Sequence, residues 1–299
     1  MELTQVKGNT WVIEASEQIP LYKLDDHRCI LLDSGLVSER EELDALLQSH
    51  GLTPAGILCS HAHVDHCANN GYLQEKYHTQ VAMTPPEIGM CSCLLNLKCY
   101  FLTLPPSIVE RESSCMIHTP DVVIPLKDGP FDFCGATFQI IQTPGHSAGH
   151  ICTITPDNVC YTADAMLSYE YMRSKLPYNL SQKIAEDSRE KLRNLGCDFY
   201  IMAHNGLCAG AEFERLIDLN NDLVHRRTQE ILDQIDHPMT ASEIVAAACE
   251  MYQLFTKHPR RSLRFERNVR FFIEYLVDQG KLEMVCHRGS TLYRRVEAD

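Results

Sequence analysis

At 299 residues with 44% apolar side chains, the chain can build one large domain, or a main domain with a smaller appendage. A formal net charge of −13 argues against a general polyanion binder, and no run approaches the ~18 apolar residues of a membrane span. The N-terminus lacks a basic start followed by an apolar run, so a cytoplasmic protein is expected, with its 14 cysteines as free thiols rather than a disulfide framework. The charge is uneven. From Thr256 to Asp299 ten Lys and Arg stand against six acids, so this tail is +4 and the remainder −17.

The first half reads as short strands parted by turns. Residues 10–14 form one strand, and 29–33 a second that ends at Ser34-Gly35. Ser38 is a candidate N-cap for a helix over 38–47, with acids in its first turn. Residues 55–59 form a strand that feeds His61-Ala62-His63-Val64-Asp65-His66. A helix over 67–77 and a strand over 80–83 follow, which is α/β alternation. The segment 85–120 breaks the pattern with Pro85-Pro86 and Pro105-Pro106 around an apolar helical stretch at 93–102, and reads as an insertion that walls a pocket. Cys91, Cys93 and Cys99 fall here; a second metal site is weighed and set below the reading of ordinary core thiols.

Strands then recur over 136–142, 151–154 and 158–162. His146 follows the first of these in Thr143-Pro144-Gly145-His146, Asp164 follows the third in Thr162-Ala163-Asp164, and His204 follows a strand over 198–202. The last ninety residues differ. A helix over 212–234, a capping box at Thr240-Ala241-Ser242-Glu243 opening a second helix, a third over 264–279 and a hairpin over 281–295 suggest a winged-helix unit.

Three imidazoles and a carboxylate within six residues suit divalent metals and are poorly explained by core packing. With His146, Asp164 and His204 they make seven donors, each at a strand-to-loop junction, enough for two metals about 3.5–4 Å apart that share a hydroxide of lowered pKa. This arrangement resembles the metallo-β-lactamase superfamily through HxHxDH at 61–66, Thr-Pro-Gly-His at 143–146, Thr-Ala-Asp at 162–164 and His204 ahead of Gly206. The resemblance covers roughly residues 1–210. It implies an α/β fold, an αββα metallo-β-lactamase sandwich, to which the helices and hairpin read above add a C-terminal winged-helix-like helical domain over 211–299. It also implies one metal on His61, His63 and His146, a second on Asp65, His66 and His204, and Asp164 bridging both. Asp164 stands where antibiotic-degrading relatives usually carry Cys, which favours branches similar to glyoxalase II, and His63 stands where the flavin-dependent di-iron branch tends to carry Glu. Asp33 matches a family position that supports the metals, although a plain turn former before Ser-Gly reads nearly as well.

The leading expectation is therefore a metal-dependent hydrolase, with Asp65 as ligand and catalyst and two divalent ions, zinc first, with iron or manganese also fitting the donors. Its substrate would be a small ester, thioester or lactone. The alternatives are an endoribonuclease similar to the RNA-cleaving branch that carries a C-terminal winged helix, with nucleic acid held by the basic tail, and a non-catalytic metal-binding regulator; a homodimer stays open. His118, His150 and His225 read as structural or solvated, with His150 pointing away from the site. Tyr169, Tyr171 and Arg173 border the substrate or merely cover the sandwich.

Overall fold

The computed structural model describes residues 1–101, 104–173 and 176–296, so Leu102, at the end of the apolar stretch, and the terminal Asp299 lie outside the described residues. Among them a seven-stranded sheet runs in chain order: β1 (Glu2–Lys7), β2 (Thr10–Glu14), β3 (Ile19–Lys23), β4 (Arg28–Leu32), β5 (Thr53–Leu58), β6 (Gln80–Met83) and β7 (Val122–Val123). β1 to β4 pair antiparallel and β4 to β7 parallel, the latter joined through α1 (Arg40–Ser49), α2 (Val64–Cys67), α3 (Asn70–Tyr77), α4 (Pro85–Cys91), α5 (Leu94–Tyr100) and α6 (Pro106–Ser113). A second sheet, ordered β13-β12-β11-β10-β9-β8, holds β8 (Gly129–Phe133), β9 (Ala136–Gln142), β10 (Ile151–Ile154), β11 (Val159–Ala163), β12 (Phe199–Met202) and β13 (Gly206–Ala209), with α7 (Gln182–Leu192) between β11 and β12.

The period of two along these strands separates three apolar layers. Ile30 and Leu32 point between the sheets and meet Phe138, Ile140, Ile151 and Tyr161. Cys29 and Leu31 point outward onto Leu43 and Leu47 of α1 and Leu73 of α3. On the far side Cys160, Tyr200 and Met202 meet Leu192 of α7 and Phe213, Leu216 and Ile217 of α8 (Gly210–Asp233). The order is helix, sheet, sheet, helix, the αββα sandwich expected.

Two local expectations need correction. Ser38 does not cap α1: residues 37–39 form a 3-10 turn, the cap position is Glu39, and no side chain bonds the helix N–H groups. The helix expected over 67–77 is broken at Ala68-Asn69, because the Asn69 amide turns back to donate to the carbonyls of Ser34 (2.8 Å) and Leu36 (2.9 Å). That tie binds the ligand loop to the end of β4.

The C-terminal region is helical with a small sheet. α8, α9 (Ala241–Met251) and α10 (Pro259–Asp278) pack around Ile231, Ile244, Val269, Phe272 and Leu276, and β14 (Met239–Thr240), β15 (Leu282–His287) and β16 (Ser290–Arg295) pair in the order β14-β16-β15. The capping box is present, Thr240 accepting from the Glu243 N–H and Glu243 from the Thr240 N–H. α8 belongs to both bodies: its first half packs on the second sheet and its second half, from Val224, in the C-terminal core. No described helix is long and apolar enough to cross a membrane.

Candidate metal centre

The donors gather at one edge of the sandwich, where β5, β9, β11 and β12 end. His61 and His66 are fully buried, His146 and Asp164 nearly so, and His63, Asp65 and His204 half-buried. His61 Nε2 and His146 Nε2 lie 2.9 and 3.0 Å from His63 Nδ1, so three ring nitrogens face one point. Asp164 Oδ2 stands 3.2 Å from His146 Nε2, 3.5 Å from His66 Nε2 and 3.9 Å from His61 Nε2, while its Oδ1 lies 3.3 Å from His204 Nε2. Asp65 joins Glu17 and His204 in a second donor group.

The backbone is bent to reach this arrangement. Asp33 (φ 71°), Ala163 (φ 44°) and Asn205 (φ 48°) are all non-glycine residues in the left-handed region, each within or beside a donor turn, a conformation that costs on the order of 1–3 kcal/mol. In Thr-Pro-Gly-His, Gly145 (φ 127°) is required outright, since a Cβ there would sit 2.3 Å from the Ala185 backbone nitrogen of α7.

Every one of the five imidazoles has its outward nitrogen tied to an oxygen. His61 Nδ1 meets Ser60 Oγ (2.9 Å), His66 Nδ1 meets Asp33 Oδ2 (2.8 Å), His146 Nδ1 meets the Tyr178 carbonyl (3.2 Å), His63 Nε2 meets the Tyr100 hydroxyl (2.5 Å), and His204 Nδ1 pairs with the Glu17 carboxylate. An imidazole donating outward is left with its inward lone pair bare, the tautomer a metal requires. Ser60 Oγ supports this assignment, because it donates to Asp33 Oδ2 (2.6 Å) and so accepts from His61.

Electrostatics agree. Burial, then the neighbouring imidazoles, holds His61 and His63 well below the usual histidine pKa, hence neutral. For Asp164 burial acts upward, but His66, His146 and His204 outweigh it and hold the carboxyl well below its usual range. Burial would likewise lower His66 and His204, yet Asp164 with Asp33 and Glu17 raises both, His204 to about 10. A buried His66 Nε2 and Asp164 Oδ1 have no hydrogen-bond partner. Neutral nitrogens on His61 and His63, an ionised carboxylate, and unpartnered atoms of His66 and Asp164 aimed at one volume fit divalent cations, whose binding would displace the protons that the carboxylates otherwise hold on His66 and His204.

Asp33 combines a turn position with a tie to a donor imidazole. It occupies a left-handed turn position, and it accepts from His66, from the Ser60 N–H (2.6 Å) and hydroxyl, and from Tyr161 OH (2.8 Å). His150 corrects the expectation: it does not point away, its ring centroid lying 5.0 Å from that of His61 with Nδ1 on Thr143 Oγ1 (2.8 Å) and Nε2 without a partner. His118 is structural, bonded to Asn70 and the Met116 carbonyl, and His225 meets Glu186. Tyr171 stacks on His204 (4.1 Å, 16°), Arg173 lines the cavity and Tyr169 is exposed. Cys91 is in the core, while Cys93 and Cys99 are exposed.

The sequence did not point to Glu17, Glu87, Tyr100, Tyr178 or Arg267. Buried Glu87 accepts from Ala62 N–H, Ser147 Oγ and Gly149 N–H (2.8, 2.7 and 2.6 Å), tying the two ligand loops together. Tyr100 passes from His63 to Tyr178 (3.0 Å), and Arg267 of α10 donates to its carbonyl (3.2 Å) and lies over both rings. Nothing but the fold brings these residues in. Beside the donors opens a cavity of about 570 Å³, lined by both bodies, with Arg260, Arg261, Arg264 and Arg267 of α10 in its wall.

Comparison places the chain. The model of the metallo-beta-lactamase superfamily matches residues 3–204, and the chain belongs to that superfamily. It is 27% identical over 195 residues to a hydroxyacylglutathione hydrolase of Rhizobium meliloti, a match spanning 64% of this chain and 64% of that protein, just under two thirds of the relative's length. A hydroxyacylglutathione hydrolase of Mesorhizobium japonicum is 24% identical over 227 residues, covering 75% of this chain and 68% of that one. Among solved structures, a metallo-beta-lactamase family protein of Thermus thermophilus superposes with a TM-score of 0.69 at 21% identity, covering 96% of this chain and 94% of the other. A beta-lactamase domain protein of Burkholderia ambifaria gives 0.73 at 17%, covering 99% and 94%. Both share the fold, including the C-terminal helical region.

Proposed function

We propose that the chain is a two-metal hydrolase that cleaves a small ester, thioester or lactone. The observation carrying this reading is that five imidazoles, each tied outward to an oxygen, and an ionised Asp164 whose two oxygens reach both donor groups converge at the base of one cavity. His61 Nε2, His63 Nδ1 and His146 Nε2 would hold one ion, Asp65, His66 and His204 the second, and Asp164 both. Glu17 stands close enough to the second group to fix His204 from behind. Bound there, a pair of divalent ions, zinc by donor type, supplies Lewis acidity and a water activated at neutral pH.

The protein's own residues do the rest. Asp65, half-buried at the cavity floor, is placed to take a proton from the attacking water and return it to the leaving group. Tyr178 and Tyr171 flank the donors and shape the approach of the carbonyl. The names of the two rhizobial relatives support a thioester among the candidate substrates. Residues 211–299 we read as a unit whose α10 roofs this site.

The test is elemental analysis with turnover. Two equivalents of metal per chain and hydrolysis of S-lactoylglutathione or a simple thioester are expected, and both fall together in Asp164→Ala. Full metal occupancy in that variant would refute the bridging role. A fully loaded protein inert to thioesters, esters and lactones would refute the reading itself.

A further inference from the structure

We propose that the arginine-rich wall of this cavity binds the phosphate end of an acyl thioester carried on a nucleoside diphosphate, and so presents the thioester carbonyl to the donor cluster. The proposal rests on the hydrolase reading above and names its substrate class. Arg260, Arg264 and Arg267 fall at i, i+4 and i+7 of α10, one face of one helix, over a rise of about 10 Å. Arg261 adjoins them, and Arg173 enters the same cavity from the segment after β11. Like charges at this spacing destabilise a helix unless something between them is negative.

Direct ion pairs supply little of that charge, although Asp65 of the same cavity lies within electrostatic reach of Arg264. Arg260 pairs with Glu112 (2.5 Å), and Arg267 donates to the Tyr100 carbonyl and phenol, both neutral. Arg173, Arg261 and Arg264 make no ion pair among the described residues. Guanidinium forks match phosphate oxygens two at a time, and several of them around one cavity suit more than one phosphate. Glutathione offers two carboxylates but also an ammonium, which this wall would repel. The same cavity is lined by apolar Phe101, Leu176, Leu254 and Phe265, as a linker and acyl chain would require.

A long nucleic acid fits less well. The chain carries −13, the positive side chains named here converge on one cavity rather than a track, and about 570 Å³ is the volume of a single small ligand. The reaction balances without a co-reactant. The acyl carbon–sulfur bond breaks, water adds its hydroxyl to the acyl carbon and its proton to sulfur, and a carboxylic acid and a free thiol leave.

The experiment titrates the metal-loaded protein with ADP and with adenosine by calorimetry, then compares kcat/KM for acetyl-CoA with that for N-acetyl-S-acetylcysteamine, a thioester without phosphates. ADP is expected to bind at least thirtyfold tighter than adenosine, and acetyl-CoA to be preferred at least a hundredfold. In R261Q/R264Q, with metal content unchanged by elemental analysis, ADP affinity and the acetyl-CoA preference each fall at least tenfold, the latter through KM. ADP binding no tighter than adenosine, ADP affinity unchanged in the double variant, or a thioester preference near one would overturn the proposal while leaving a hydrolase in place. An RNA oligonucleotide that displaces ADP and is cleaved would overturn it in favour of a nuclease. Arginine-dependent ADP binding without turnover of either thioester would uphold the phosphate site but overturn the thioester assignment, leaving the hydrolase reading to its ester and lactone assays.

Discussion

Asp33 offers a clean perturbation because asparagine separates its two roles. Asp33 sits at φ 71°, and asparagine tolerates that conformation about as well as aspartate, so Asp33→Asn spares the turn. The hydrogen bonds cannot survive intact. Oδ2 accepts from His66 Nδ1, Ser60 Oγ and Tyr161 OH, and Oδ1 accepts from the Ser60 N–H, so every partner is a donor. Whichever way the amide is turned, its NH2 meets an N–H or O–H in a site that is 1% exposed. Leaving one or two buried donors unmet costs about 1–3 kcal/mol each, which lowers the melting temperature by several degrees. The larger effect falls on the metal. His66 loses the carboxylate that fixes its tautomer, and removing such a partner typically costs 10–100-fold in affinity, about 1.4–2.8 kcal/mol. A competition titration with a chromophoric chelator reads this directly, in wild type and variant at one pH. Affinity within twofold of wild type would show that Asp33 is a turn residue only, and that the outward hydrogen bonds do not prepare the imidazoles.

Three further outcomes are expected. Chelator treatment should lower the melting temperature and restored metal should recover it, since an ion that binds the folded state alone adds ~4 kcal/mol at a thousandfold excess over its Kd; an unchanged melting curve would count against a resident metal. Thr240→Ala should lose about 1 kcal/mol in urea unfolding through its capping box, and no change would mean α9 is held by packing alone. Burial raises the Asp44 carboxyl but Lys76 and Tyr77 outweigh it and lower its pKa, so its contribution is present above the unfolded value near 4 and is lost as pH falls through the folded one. Asp44→Asn should therefore flatten the acid limb of the stability–pH curve below about pH 4, and an identical limb would remove Asp44 from that account.

What could be read from the sequence were features set by short-range rules. Strands such as 10–14 and 80–83 follow from short apolar runs bounded by polar residues and turns, the Thr240-Glu243 box from two residues three apart, and the seven donors from residue types that clustered motifs make conspicuous. The misses share another cause. Ser38 has the right chemistry for a cap, but Asn69 and Glu39 take over the entry to α1 through contacts tens of residues distant. Glu17, Glu87 and Tyr100 look like surface polar or insertion residues in the linear chain, and only the tertiary fold sets Glu17 and Tyr100 against histidines and Glu87 against the loops that carry them. His150 was read by its position at a strand start, where side-chain direction depends on register; one residue of register decides whether a ring faces His61 or its opposite.

The C-terminal region looks different along the chain and in space. Read along the chain, its arginines form a basic tail attached to an acidic protein, and a basic tail suggests a separate surface for a polyanion. In space, Arg267 reaches Tyr100, Tyr100 bonds the outward nitrogen of His63, and Phe271 packs edge-on to Tyr178, whose carbonyl holds His146. Asn268 of the same helix donates to the Leu176 carbonyl, so α10 is fastened on both sides of the cavity. Two of the imidazoles of the first donor group thus owe their orientation to residues that pack against this helix. A structure in which α10 were a loosely tethered module would leave Tyr100 and Tyr178 without their outer support, and the donors they aim would no longer converge. The helix that walls the cavity is therefore also part of what orients the donor imidazoles, so its loss would be felt at the cavity wall and at the donor cluster together.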